Sequence, residues 1–391
     1  MKIYQLLFSL SLERLLPALV QVGVHLFLAQ QLGPIGYQPL AVLALIVQLS
    51  FPLIDLTLSQ SIMVKKWNSR YNPEVYSNIS LIIWVISILI CCLVIVLSTY
   101  YTINIVLAIS YVFVIFGQGQ TVLQRTNLLL QGKIKELRNI QLKSSFCSVI
   151  IFVFLITLKV DVLISFSLYI VSASMLQIYL TQRADKYYPP KWSGRRILIP
   201  LAKLSASLIF ISSLAFIFEN YLAFYVQNVG FKEVVISTLF LTRRFWGIAA
   251  IALADPVERI MYISEERHFD KRIIGVVLVV AVLGPLIFYL MEEQTKNIML
   301  CIIGSDWDLM SKQLLAGAAY VFIFPVQGFV NFVLKTKEKE SILIVLEILK
   351  RVVLICLLLV FSQNIVEVFR YQYVISLILI LITYVFAIKW K

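Results

Sequence analysis

Arg243 and Arg244 sit side by side near the middle of Phe231 to Ala254, FKEVVISTLFLTRRFWGIAAIALA. About 20 apolar residues span the roughly 30 Å of hydrocarbon in a bilayer, so this stretch is long enough to cross one. An arginine at that depth costs about 2.5–3.5 kcal/mol on insertion scales, and a chain keeps it where it faces a protein-lined or watery interior. Two uses are open. Both arginines pair with carboxylates on neighbouring helices and fix packing, or they form an anion site inside a transport cavity. Away from span ends the other embedded cations are Arg14, Lys203, Lys350 and Arg351, against the acids Asp55 and Glu347 alone. Arg14 and Asp55 lie at similar depth and suit an ion pair, while Lys203 is near enough to a helix end to snorkel. Glu347 reaches Lys350 or Arg351 at i+3 or i+4, which leaves one cation over. Positive charge is therefore in surplus from mid-membrane to the inner half. That suits an anionic ligand entering from the cytoplasm, and a guanidinium fork matches phosphate oxygens well.

Polar stripes on the helices supply further candidates. Arg14, Pro17, Gln21 and His25 share one face, as do Gln48, Pro52, Asp55 and Ser59. A third face carries Gln313, Gly317, Tyr320, Gln327 and Asn331. Such stripes are either interhelical glue, at about 0.6 kcal/mol per bond, or the wall of a cavity. Three of them, drawn from both halves of the chain, favour the cavity. Catalytic and metal chemistry find less support. Histidine occurs only at His25 and His268, and His25 is read as a structural or coupling residue. The cysteines Cys91, Cys92, Cys147, Cys301 and Cys356 lack metal-ligand spacing, so no metal or cofactor is expected. Asp306-Trp307-Asp308 has an Asp-x-Asp spacing that could hold a metal-nucleotide or lipid phosphate. A membrane polymerase or glycosyltransferase, however, calls for a large outer loop, and the outer loops are read as short. No GxxxxGK[ST] phosphate loop is present, which argues against ATP-driven transport.

The elements that must position these residues follow from composition. Of 391 residues 60% are apolar and 14% charged, with a mean hydropathy of +0.91, where a soluble domain carries about 25% charged residues. The pattern predicts an all-α polytopic membrane protein, since the apolar runs are too long and too unbroken for barrel strands. Twelve spans are expected, near 11–31, 38–63, 79–99, 103–124, 141–158, 161–180, 197–218, 231–254, 273–290, 313–334, 341–361 and 370–388. The basic loop residues, Lys65, Lys66, Lys135, Arg138, Arg195, Arg196, Arg272 and Lys337 among them, fall on one side of this arrangement. The positive-inside rule makes that side cytoplasmic and puts both termini there. The net charge of +13 is thus a topology signal, with some attraction to anionic membrane lipids, and does not point to nucleic acid. Thr181 to Arg196, with its Pro-Pro, Gly and charges, reads as the linker between two six-helix lobes, 1–185 and 186–391, around a central cavity.

The first hairpin carries a more specific signal. Leu32-Gly33-Pro34, Gly36-Tyr37 and Asp55 resemble the opening of the O-antigen and polysaccharide flippase family, within the multidrug/oligosaccharidyl-lipid/polysaccharide exporter superfamily. Thr57 stands where that family usually has glycine. Gly304-Ser305-Asp306-Trp307 is similar to its late outer loop, and Arg244 and Pro256 fall where its eighth helix has a basic residue and a closing proline. The resemblance implies alternating-access flipping of a polyprenyl-pyrophosphate-linked oligosaccharide across a bacterial inner membrane. The partners it implies are a polysaccharide polymerase and a chain-length regulator, with no enzymatic activity in the chain. Under it Arg244, Arg243, Lys350, Arg351, Arg14, Gln21, Gln327 and Asn331 are expected to meet substrate. Asp55, His25 and Glu347 are expected to hold or couple. A multidrug exporter of the same superfamily is the nearest rival, although cationic drugs call for embedded carboxylates.

Overall fold

The computed structural model describes residues 3–48, 73–100, 103–192, 234–253, 289–323, 340–360 and 365–389, with shorter pieces at 54, 279, 283–287, 326–328, 330 and 334. Every regular element among them is helical. In chain order they are α1 (Ile3–Gln48), α2 (Pro73–Tyr100), α3 (Ile105–Leu130), α4 (Ile134–Thr157), α5 (Val162–Ala184), α6 (Val234–Leu253), α7 (Glu292–Ile303), α8 (Asp308–Val321), α9 (Glu340–Val360) and α10 (Ile365–Lys389). A 3-10 turn over Ser305–Trp307 joins α7 to α8. Among the described residues, 6 stretches are long and apolar enough to cross a membrane: Leu15–Leu45, Pro73–Thr99, Ile105–Leu130, Ile134–Thr157, Val162–Ala184 and Val366–Thr383. The expected spans 197–218 and most of 273–290 lie outside the described residues.

Several boundaries differ from the sequence expectation for physical reasons. The first expected span and the described part of the second, up to Gln48, form one helical run broken at Gly33 (φ 66°, ψ 175°), so the bend needs no loop. Glycine has no Cβ to clash in that conformation, and Pro34 then opens the next segment, where a missing N–H is no loss. Helix α2 starts at Pro73, ahead of its apolar core, because Pro at the first turn and Glu74 behind it both suit a helix N-terminus. Residues 291–312 are expected as an outer loop, yet they hold α7 and the 3-10 turn. At 12 residues α7 is too short and too polar to read as a span, and Gly304 (φ 100°) ends it.

Contacts divide the chain into two compact units. One comprises Met1–Ser11, His25–Gln38 and Phe218–Lys391, and the other Leu12–Val24 and Pro39–Ile217. In the second unit α3 packs against α2, α4 and α5. Lipid supplies no hydrophobic drive between helices, so close approach through small residues matters. Gly117 lies against Ser174 of α5, and Gly119 against Ser87 and Ile83 of α2. Large apolar side chains such as Leu89, Val96, Ile150 and Phe154 are exposed on the outer faces, as a lipid-facing surface requires. The first part of the linker is held on this unit. Asn127 Nδ2 donates to Asp185 Oδ2 at 2.7 Å and to the Tyr188 hydroxyl at 3.3 Å. Tyr188 stacks on Tyr76 with ring centres 4.9 Å apart, and the Lys191 amide donates to the Ser77 carbonyl at 3.3 Å. In the first unit α8 packs against α6 and α10, and α9 against α10.

Candidate functional site

Helix α6 has two working faces. Residues on a helix advance by about 100°, so Thr238, Thr242 and Trp246 lie on one side and Ser237, Phe240 and Arg244 on the other. The first side meets α8. Trp246 Nε1 donates to the Leu314 carbonyl at 3.4 Å, and the indole occupies the space that a side chain at Gly317 would need. The second side meets the first hairpin. There Ser237 Oγ donates to the Pro34 carbonyl at 2.5 Å.

An aromatic stack fills the space behind Ser237. The Phe240 ring lies 5.9 Å from the His25 ring and 6.1 Å from the Tyr37 ring. A hydrogen bond of 2.6 Å joins His25 Nδ1 to the Tyr37 hydroxyl, its direction set by the histidine tautomer. Trp307 meets Tyr37 edge to face at 5.9 Å. The residues quoted from the first hairpin and from the late outer loop therefore touch: Gly36-Tyr37 contributes one ring and Gly304-Ser305-Asp306-Trp307 the other. All four rings are buried.

Arg244 crowns this stack. Its guanidinium carbon stands 5.0 Å above the Phe240 ring centre, well within cation–π range. The side chain is half-buried, and its Nε is buried without a hydrogen-bond partner among the described residues. Among the described residues no carboxylate pairs with it; Asp308 pairs with Lys296 and Lys312, and Glu367 with Arg370. Arg243 is also half-buried and has an interaction partner.

The remaining candidates are placed as follows. Lys350 and Arg351 are buried on α9, and each is engaged. Gln21 is exposed and Gln327 half-buried. Gln313, one turn before Gly317, is fully buried, and among the described residues both its amide atoms lack a partner. Asp55 and Asn331 lie outside the described residues. So do the side chains of Arg14 and Glu347, and with them the expected pairs Arg14–Asp55 and Glu347 with its neighbours. The structure thus brings His25 and Arg244 together through Phe240. Sequence reading missed Phe240, Tyr37 and Trp307 as partners. The signal for Phe240 was its place four residues before an embedded arginine, the spacing at which helical side chains meet.

The Asp-x-Asp candidate has a different use. Asp308 sits in the first turn of α8, where Lys312 approaches to 2.6 Å and Lys296 to 3.5 Å. The hydrogen bond from Lys312, helped by both ammonium charges, holds this carboxyl below the usual carboxylate range. Among the described residues no group of three His, Cys, Asp or Glu side chains could hold a metal ion.

Comparison with known proteins gives a likeness in fold. No family profile matches the chain, and no curated protein does. Solved structures do match over nearly the whole length. A mutant of the Vibrio cholerae MATE transporter VcmN is 12% identical with a TM-score of 0.69, covering 99% of this chain and 96% of that one. A eukaryotic MATE transporter is 10% identical with a TM-score of 0.65, covering 100% and 96%. An outward-facing multidrug resistance MATE family transporter of the MOP superfamily is 10% identical with a TM-score of 0.62, covering 99% and 95%. The chain has the all-α, 12-helix, two-lobe fold of these transporters. Each of these similar structures is a MATE transporter, and at 10–12% identity the likeness is one of fold.

Proposed function

We propose that this chain is a multi-pass transporter that carries a bulky anionic amphipath by alternating access. The substrate its residues fit best is a polyprenyl-pyrophosphate-linked oligosaccharide repeat unit, moved from the cytoplasmic to the outer leaflet of a bacterial inner membrane for O-antigen or related surface polysaccharide. One observation carries the reading: Arg244, within the expected span 231–254, is half-buried and stands over the Phe240 ring, with no described carboxylate paired to it. A cation placed at such expense is kept where an anion meets it. The pyrophosphate takes that role, with Arg243, Lys350, Arg351 and Arg14 adding charge around its path. Amides such as Gln21, Gln327 and Asn331 serve the sugars, and the polyprenyl tail stays in lipid. Asp55, His25 and Glu347 hold or couple the moving parts. No bond is made or broken, so no catalytic group is required. The basic loops put both termini in the cytoplasm. A polysaccharide polymerase and a chain-length regulator are the natural partners downstream.

The second reading is a multidrug exporter, and the fold favours it: one of the similar structures is a multidrug resistance transporter. Charge divides the two readings, because a cationic drug needs embedded carboxylates whereas α6 presents Arg243 and Arg244. Proteoliposomes holding the purified protein decide between them. The expected result is transbilayer movement of a fluorescent polyprenyl-pyrophosphate sugar and no movement of a cationic dye. Dye transport without lipid movement would overturn the flippase reading and establish the exporter.

A further inference from the structure

We infer that Phe240 is a positioning residue for the anion site, holding the Arg244 guanidinium by its ring face, and that His25 and Tyr37 of the first hairpin fix the ring. The inference rests on the reading of Arg244 as the anion-binding group. An arginine side chain has many rotamers to lose, so something must hold it if it is to meet a ligand in one orientation. Hydrogen bonds or a carboxylate commonly do this. Arg244 has neither among the described residues: its Nε is buried without a partner, and no carboxylate is paired with it. What it has is the Phe240 face at 5.0 Å, four residues earlier on the same helix.

The kind of hold matters chemically. A carboxylate partner would use the in-plane N–H donors and neutralise the charge that an anion needs. An aromatic face contacts the flat side of the guanidinium, where no N–H points, and carries only a quadrupole. The charge and the terminal N–H donors both remain for a bidentate oxyanion. Phe240 can act in this way because it cannot easily turn. It is 1% exposed. The His25 ring meets it at 71° and the Tyr37 ring at 45°, and the 2.6 Å hydrogen bond ties those two together. The first hairpin thereby reaches the site without touching the arginine itself.

The test uses the full-length protein in lipid nanodiscs, with inorganic pyrophosphate as probe and calorimetric titration as readout. Wild type should bind, and Arg244→Ala should not. Phe240→Leu, which keeps apolar bulk but removes the ring face, should bind about tenfold more weakly. Phe240→Met should behave like it, and supplies the measurement if the leucine variant does not fold. Phe240→Tyr should bind nearly as wild type. Adding Phe240→Leu to Arg244→Ala should change nothing further. A purely structural role would lower the thermal midpoint of Phe240→Leu without weakening pyrophosphate binding by the folded protein. Wild-type affinity in both Phe240→Leu and Phe240→Met, with Arg244→Ala still unable to bind, would overturn the positioning role alone. So would Phe240→Tyr as weak as Phe240→Leu. Absence of wild-type binding, or full binding by Arg244→Ala, would instead remove the anion-site reading and this inference with it.

Discussion

Arg243 and Arg244 are adjacent in sequence, yet 100° of helical turn gives them separate surroundings. Arg244 stands on Phe240, and Arg243 is engaged elsewhere. Arg243→Ala should therefore lower the amount of protein in the membrane more than transport per molecule, measured as flipping normalised to an immunoblot. Equal per-molecule loss in the Arg243 and Arg244 alanine variants would contradict that division. Hydropathy alone made the arginine pair legible, since charge in an apolar span stands out. Phe240 was not legible, because one aromatic residue among many apolar ones carries no mark of what it touches. Asp308 gives a residue-scale prediction of another kind. Its folded pKa is lowered, so its contribution is present above the unfolded value and is lost as pH falls through the folded one. Asp308→Asn should slightly lower thermal stability at neutral pH and make no difference at about pH 2, below the usual carboxylate range. The effect is small because the pair with Lys312 is well exposed. A larger deficit in acid than at neutral pH would contradict the pairing.

Among the elements, glycine decides several contacts. Gly117 faces Ser174 where α3 and α5 approach closely, and a leucine there would force the helices apart. Gly117→Leu should destabilise by about 1–3 kcal/mol as an overpacked contact. Gly23 has open space where a Cβ would be, so Gly23→Ala should be neutral or stabilise by up to about 1 kcal/mol. Thermal unfolding of the detergent-solubilised protein compares them, and equal midpoints would contradict the packing described. At this scale long apolar runs were read well: α3, α4 and α5 lie where hydropathy put them, with polar extensions such as Lys135 to Arg138 at the start of α4. Helix α7 was not read, because a short amphipathic segment between spans has neither the length nor the hydropathy of a crossing helix.

For the whole molecule, the fold was legible because a bilayer leaves the backbone few choices. Little more than 10% identity to the similar structures accompanies a likeness over nearly the entire chain. Contacts across the sequence were less legible. His25–Gln38 groups with Phe218–Lys391, which span counting does not suggest, and the meeting of Tyr37 with Trp307 is its clearest trace. Sidedness follows from loop charge, so cysteines placed at Lys135 and Lys337 should resist an impermeant label in sealed cells, and one at Asn297 should take it. Strong labelling at the first two would invert the topology. Substrate identity, by contrast, turns on charge within the embedded site. The most direct measurement is the rate at which a labelled polyprenyl-pyrophosphate sugar crosses proteoliposomes at equal reconstituted protein, for wild type, Arg244→Lys and Arg244→Ala. Arg244→Ala should abolish movement, and Arg244→Lys should keep only part of it, because the ammonium retains the charge but not the fork. Movement at the wild-type rate by Arg244→Ala would contradict the account.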